Sequence, residues 1–373
     1  MQEAGETSLK KLFIKVPEWK ECAGITVPKS LNAEQCSSSA TARFKADIAR
    51  EACGNERFIA DLTGGLGVDS WAFSQVFGHV LHNEMDTELS RAVESNFRNL
   101  GVVNCTFSNK ELKAGSLAGI LGDSVPDILY LDPARRSSDG KKVFLLQDCS
   151  PDIISLKEEL LGHCSHVLVK ISPMADISLV AREIGKELRH VYVCGTRGEC
   201  KELLLHIEKD WDGGCGISCI DSGERMDFAS GHEDAAVHFL DNQARITSLM
   251  LFEPGAVLMK SGCMDRVASD FNLHKAGRNT QLYFSDTVIP ELKSFGKFFT
   301  IGEVLPFSAA EIKNVASRRL QADVTVKALP LSSEELKKRL RTSTGGTEHI
   351  FACAMDFSEE KSSRVMLMTS KVL

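Results

Sequence analysis

The chain is 373 residues long, more than a single ordinary domain requires, and its 43% hydrophobic and 25% charged residues are those of a folded globular protein with an ample core. A formal charge of -7 argues against nonspecific nucleic-acid binding over the whole surface, while leaving room for a local basic face. No run approaches the roughly 18 apolar residues of a membrane helix, and Met1-Gln2-Glu3-Ala4-Gly5-Glu6 lacks a basic-then-apolar leader, so a cytoplasmic setting with no membrane partner is expected. The twelve cysteines are scattered, and the tightest pair, Cys215 and Cys219, has no second pair at zinc spacing, so free buried thiols and no metal are expected.

Residues 1–50 lack strand alternation and end in a stretch, 32–49, rich in small residues and read as helical. Strand and helix then alternate. Residues 58–62 read as a strand, 71–77 as a helix and 80–83 as a second strand. Asp86 can cap a helix whose Leu89, Val93, Phe97 and Leu100 share one face and which Gly101 closes. Residues 102–107 and 127–131 read as further strands, Ser150-Pro151 as a helix start, and 166–171 as a fifth strand. The apolar runs 191–194 and 202–207 are separated by too few residues for a helical crossover, so they should pair antiparallel.

Beyond about residue 240 the pattern changes. Runs at 251–258 and 281–284 flank a helix in a small α+β unit. The tail shows strands at 298–304, 323–328, 350–355 and 365–369, with helix starts at Ser308 (Glu311 three residues on) and Ser332 (Glu335 three residues on). The expected organisation is a helical segment over 1–50, an α/β domain over 51–240, a ferredoxin-like connector over 241–295 and an α+β domain over 296–373.

The first strand runs into Asp61-Leu62-Thr63-Gly64-Gly65-Leu66-Gly67-Val68-Asp69, a turn built from small residues that lets a ligand touch backbone between two acceptors, Asp61 and Asp69. A dinucleotide site would want a third glycine where Ser70 stands. The second strand ends at Glu84, about twenty residues on, where a carboxylate can accept from both ribose hydroxyls. The fourth ends in Asp132-Pro133-Ala134-Arg135-Arg136. Arg135, Arg136, Lys141 and Lys142 form a basic cluster suited to phosphates, and Lys170, near the end of the fifth strand, can reach a phosphate or a substrate carbonyl.

In combination, the Gln35-Cys36-Ser37-Ser38 helix, the 61–69 turn, Asp132-Pro133, Phe252-Glu253-Pro254 and the tail from about residue 296 resemble class I S-adenosylmethionine methyltransferases carrying a THUMP-like C-terminal domain. The resemblance implies a doubly wound, seven-stranded Rossmann-like sheet with an antiparallel last strand. It implies S-adenosylmethionine as cofactor, with Asp61, Thr63, Gly65, Gly67, Asp69 and Glu84 around it and Asn109 standing where the family often reads the adenine amine with an Asp. Asp132 and Pro133 resemble the D/N-P-P-Y motif that orients an exocyclic amine for in-line methyl transfer. No aromatic follows the proline here. The THUMP-like tail implies ribosomal or transfer RNA as partner. Two alternatives stand beside that reading: an RNA-binding protein that holds the cofactor without turnover, and a small-molecule methyltransferase.

Overall fold

The computed structural model describes residues 2–54, 57–135, 146–230, 237–241, 243–358 and 361–372. The chain divides into two compact units, residues 1–195 with 201–230 and residues 196–200 with 231–373.

The first unit opens with helices α1 (Gln2–Lys15), α2 (Ser30–Gln35) and α3 (Ser39–Cys53). The expected continuous helix over 32–49 is broken at Cys36-Ser37-Ser38. There Ser38 turns its hydroxyl to accept from the Thr41 N–H at 3.2 Å, starting α3 afresh. A serine N-cap satisfies an orphan helix donor that a mid-helix serine would leave to solvent. The buried face of α3 is mostly small: Ser39, Thr41, Ala42, Ala46 and Ala49. It packs closely on α4 (Val68–Ser74), which is buried along its whole length.

The sheet strands are β1 (Phe58–Asp61), β2 (His79–Asn83), β3 (Cys105–Ser108), β4 (Ile128–Leu131), β5 (His166–Ile171), β6 (Leu188–Thr196), β7 (Glu199–Glu208), β8 (Gly216–Asp221) and β9 (Glu224–Phe228). Their order across the sheet is β9-β8-β6-β7-β5-β4-β1-β2-β3. β3, β2, β1, β4 and β5 are parallel neighbours, and β7 runs antiparallel to β5 with Ile171 opposite Leu203. β6 and β7, neighbours in the sheet joined by a short turn at Arg197 and Gly198, form the expected antiparallel hairpin, but among the described residues the sheet has nine strands where the resemblance implies seven. The extra pair is the hairpin β8–β9, joined by Ser222 (φ 52°) and Gly223 (φ 97°), two consecutive left-handed residues that suit the twist of a two-residue hairpin loop. The short run Gly-Ile-Ser-Cys-Ile-Asp carries too little apolar alternation to announce a strand by itself.

Between the strands lie α5 (Thr87–Asn99), α6 (Leu117–Leu121), α7 (Ile153–His163) and α8 (Ile177–Ile184). Asp86 caps α5, accepting from the Glu88 and Leu89 N–H groups. α7 starts two residues later than Ser150-Pro151 suggested: Asp152 accepts from the Ile154 and Ser155 N–H groups, a charged acceptor being the stronger cap. The core joins the N-terminal helices to one sheet face through Trp19, Ile59, Phe73, Phe97 and Tyr130, with Trp19 edge-on to Trp71 at 5.9 Å.

The second unit is built on one eight-stranded sheet: β10 (His238–Phe239), β11 (Met250–Pro254), β12 (His274–Gly277), β13 (Thr280–Ser285), β14 (Gly296–Pro306), β15 (Gln321–Lys327), β16 (Ser343–Ser358) and β17 (Lys361–Lys371), in the order β10-β12-β13-β11-β14-β17-β16-β15. α9 (Ala256–Ser261) and α10 (Met264–Asp270) follow β11, and α11 (Ala309–Ser317) and α12 (Ser333–Leu340) flank β15. The pairing of β11 with β14 makes the stretch read as a connector and the stretch read as a tail parts of one sheet. Successive residues of β16 feed different cores: Phe351, Cys353 and Met355 join Leu251 and Phe299 on one face, while Ile350 and Ala352 join Leu336 and Leu340 on the other. That is the two-residue period of a strand buried on both sides.

The Ser332–Glu335 capping box is complete, with the Glu335 carboxylate also accepting from the Ser332 N–H at 2.8 Å. Ser332→Ala should lower stability by about 1 kcal/mol in urea denaturation, and Ser332→Asp should retain most of it.

Candidate functional site

β1 to β3 step toward one edge of the sheet and β4 to β7 toward the other, so the order reverses between β1 and β4, the crevice where open α/β sheets bind ligands. A cavity of about 740 Å³ opens there, lined by Thr63, Gly65, Glu84, Asp132 and Lys170 among others. Its volume lies within the roughly 300–1,000 Å³ of small-molecule sites.

The turn after β1 is shaped by what its glycines must avoid. A Cβ at Gly64 would lie 2.1 Å from the buried His82 ring, and one at Gly67 (φ 80°) would lie 2.7 Å from Val93. The Gly65 N–H donates to Glu84 Oε2 at 2.9 Å, and the Asp86 N–H donates to Glu84 Oε1 at 2.8 Å. Glu84 is thus held by backbone at the cavity wall, with a further lone pair on each oxygen. Across the opening, the Asp132 N–H donates to Thr63 Oγ1 at 2.6 Å, and Lys170 Nζ sits 2.6 Å from Asp132 Oδ2. Burial works against the Lys170 charge, but the Asp132, Glu202 and Asp69 carboxylates together outweigh it and the ammonium is held above its ordinary range.

Two of the acids picked out from the sequence are engaged below the cavity surface. Asp61 is fully buried and does not line the cavity; its carboxylate accepts from Ser70 Oγ at 2.5 Å and from the Thr63 N–H at 3.3 Å. The Ser70 hydroxyl also meets His82 Nδ1 at 2.9 Å. Burial pushes the Asp61 carboxyl up to about 8, beyond what the Ser70 hydrogen bond offsets, and drops His82 to about 3. Asp69 lines the cavity floor but is bound by Lys45 Nζ at 2.9 Å, Ser37 Oγ at 3.0 Å and the Tyr130 hydroxyl at 2.9 Å. Asn109 lies outside this cavity, donating to the Glu84 and Met85 carbonyls and accepting from Thr87 Oγ1.

Lys45 was not among the residues singled out. It is completely buried, 2.9 Å from Asp69 and 3.3 Å from Glu202, and it also donates to Ser37 Oγ at 2.7 Å. Burial opposes its charge, yet the two carboxylates raise it further above its ordinary range. Burial works against the Asp69 charge, but Lys45, Lys170 and the Tyr130 hydrogen bond together hold its carboxyl below the ordinary range, whereas Glu202 is raised because burial outweighs Lys45. The signal was present in the sequence: Lys45 sits in register with Ala42, Ala46 and Ala49 on an apolar helix face, where a cation needs a buried anion. Gln35, Cys36 and Ser37 bring this N-terminal segment to the cavity wall, and burial holds the Cys36 thiol above its ordinary range, against a thiolate nucleophile.

Pro133 follows Asp132 as a buried residue. The backbone of Ala134-Arg135 pairs with Cys149-Ser150. The Arg135 side chain, Arg136, Lys141 and Lys142 lie outside the described residues.

Residues 250–292 match the model of a ferredoxin-like domain, and residues 296–370 match that of a THUMP domain-like family. No curated protein matches the chain. Among solved structures, a crystal structure described as a candidate methyltransferase of Porphyromonas gingivalis W83 aligns over 99% of this chain and 89% of its own, at 26% identity and a TM-score of 0.85. A candidate RNA methyltransferase of Pyrococcus horikoshii (17% identity, 54% of this chain and 98% of its own, TM-score 0.34) and an rRNA methylase of Streptococcus thermophilus (12% identity, 44% and 94%, TM-score 0.32) also match, at scores too low to carry weight here. The chain is a class I methyltransferase-fold protein with a THUMP-like C-terminal domain.

Two outcomes are expected. Lys45→Met should cost about 3–5 kcal/mol in chemical denaturation, because Asp69 and Glu202 would be left buried without a counter-charge. The second concerns pH. An Asp raised to about 8 in the folded chain, against about 4 unfolded, holds a proton that the unfolded chain has lost, so its contribution to stability falls as pH rises from about 4 to about 8. Asp61→Asn should therefore gain on the wild type progressively across that window. Urea midpoints that stay parallel from pH 5 to pH 8.5 would contradict the assignment.

Proposed function

We propose that this chain is an S-adenosylmethionine-dependent methyltransferase that modifies an exocyclic base nitrogen of RNA. The observation that carries the reading is the convergence of Glu84, held by two backbone N–H groups, and Asp132, held by Thr63, on one cavity at the switch point of the sheet. The fold and domain likeness to the Porphyromonas gingivalis protein supports methyl transfer. The THUMP-like match over 296–370 supports a structured RNA, ribosomal or transfer, as substrate.

The residues fit the cofactor. A Cβ at Gly65 would project into open space, so the cradle has room at the point where backbone must approach a ligand. Glu84 would hold the ribose hydroxyls with its remaining lone pairs, and Met85, Leu89 and Leu112 line an apolar wall suited to a flat heterocycle. When bound, the cofactor supplies an electrophilic methyl group. Asp61 and Asn109 act at one remove in this reading, Asp61 by fixing Ser70 and Thr63, and Asn109 by clipping the backbone that carries Glu84. Asp69 acts by fixing Ser37 and Lys45.

Asp132 has one oxygen on Lys170 and one left to accept from a substrate amine, which would turn the nitrogen lone pair toward the methyl carbon. The methylated nitrogen then loses a proton, and Asp132 is placed to take it. The basic residues Arg135, Arg136, Lys141 and Lys142 would contact phosphate. The Asp132–Lys170 ion pair also favours a second reading, cofactor binding without turnover, since the amine must share a carboxylate that already has a partner.

Calorimetry with S-adenosylhomocysteine should show binding to the wild type that weakens at least tenfold in Glu84→Ala; no binding by the wild type would end the cofactor assignment. Asp132→Ala should bind S-adenosylhomocysteine as the wild type does and lose at least a hundredfold in methyl transfer to RNA. Binding by the wild type with no transfer to any RNA fraction would favour the second reading.

A further inference from the structure

We propose that His166, His206 and Glu208 form a binding site for a zinc-class divalent cation at the end of the sheet opposite the cavity. His206 and Glu208 are two residues apart on β7, so their side chains share a face, and His166 on β5 stands directly opposite Glu208 in the ladder. The three offer ligand atoms that lie within 4.8 Å of one another. His166 Nδ1 is 3.2 Å from His206 Nε2 and 3.8 Å from Glu208 Oε2. Ligand atoms around a tetrahedral zinc at about 2.0–2.1 Å are separated by roughly 3.3 Å, so the cluster needs only small side-chain shifts to close on an ion.

The chemistry of the set agrees with the geometry. Two imidazoles and a carboxylate suit zinc and its neighbours rather than calcium or magnesium, which prefer all-oxygen sets. His206 is 1% exposed, while the side chains of His166 and Glu208 keep 20% exposure, which leaves a solvent-facing position for a water as fourth ligand. Arg189 is the competitor: its Nη1 pairs with Glu208 Oε2, and its guanidinium lies 4.6 Å from the Trp211 ring centre. With 41% of its side chain exposed, Arg189 can yield Glu208 to a divalent ion while keeping its stacking contact.

The site is structural in this reading. His166 begins β5 and Lys170 lies four residues along the same strand, roughly 13 Å away, so the ion would tie β5 to β7 without touching the cavity. The inference is independent of the proposed methyl transfer.

The test uses the full chain, stripped with a chelator and titrated with zinc against a chromogenic competitor, then with cobalt(II). The wild type should take one zinc at this site, and its cobalt form should show visible bands of a nitrogen–oxygen tetrahedral site without near-ultraviolet thiolate absorption. Glu208→Gln leaves every cysteine in place and should weaken zinc binding at least tenfold and abolish the zinc-dependent rise in melting temperature; His206→Ala should do the same. Arg189→Ala should bind zinc at least as tightly as the wild type. Equal zinc affinity in the wild type and Glu208→Gln, no zinc or cobalt binding by the wild type, or weaker binding by Arg189→Ala would overturn the proposal.

Discussion

The first unit depends on one buried ammonium. Lys45 has no access to solvent, and an ion withdrawn from water costs several kcal/mol unless its partners are close and well arranged. Those partners come from three parts of the chain: Ser37 from the break between α2 and α3, Asp69 from the helix that follows the glycine turn, and Glu202 from β7. A structure in which any of the three is displaced leaves a charge or a hydroxyl stranded. The N-terminal segment is therefore part of the cavity's architecture rather than an appendage to it.

The antiparallel strand explains how Glu202 reaches that place. In a purely parallel sheet, side chains at the ligand rim come from the C-terminal ends of strands. β7 runs the other way, so the start of the strand, with Leu203 opposite Ile171, lies at the rim and carries Glu202 to the level of Lys170 and Asp132. Reading strand ends in sequence order finds Glu84 and Asp132 and passes over Glu202. The same inversion sends Glu208 to the far end of the sheet, beside His166, where the proposed cation site lies.

The second unit meets a different constraint. Its long strands are apolar on both faces, and β16 alternates residue by residue between two cores. A one-residue slip would exchange the two sets, so register is set by both faces at once. Pairing of β11 with β14 then extends that sheet through the residues matched by the ferredoxin-like and THUMP-like models alike.

Much of the fold was legible because it follows from local periodicity and punctuation. The alternation of strand and helix from Phe58 onward, the Asp86 and Ser332 caps and the hairpin of β6 with β7 each rest on residues close in sequence. Local signals also erred where two acceptable signals competed: Asp152 caps α7 in place of Ser150, and Ser38 divides a stretch that reads as one helix. The strand pair β8–β9 has no clear periodic signature, because β9 at the sheet edge is mostly polar and β8 is a short run whose buried positions include Ser218 and Asp221.

The sequence by itself determined the glycine turn and the placing of Glu84 and Asp132 at strand ends that face the cavity, since strand direction and side-chain order suffice for those two. Tertiary structure alone decided how those groups are engaged. Asp61 is spent on Ser70 and Thr63, Asp69 on Lys45, and Asp132 shares its charge with Lys170, while Glu84 is held by backbone with lone pairs to spare. The physical reason is that a carboxylate's state depends on burial and on charges brought from distant parts of the chain, and neither quantity is carried by the residues on either side of it.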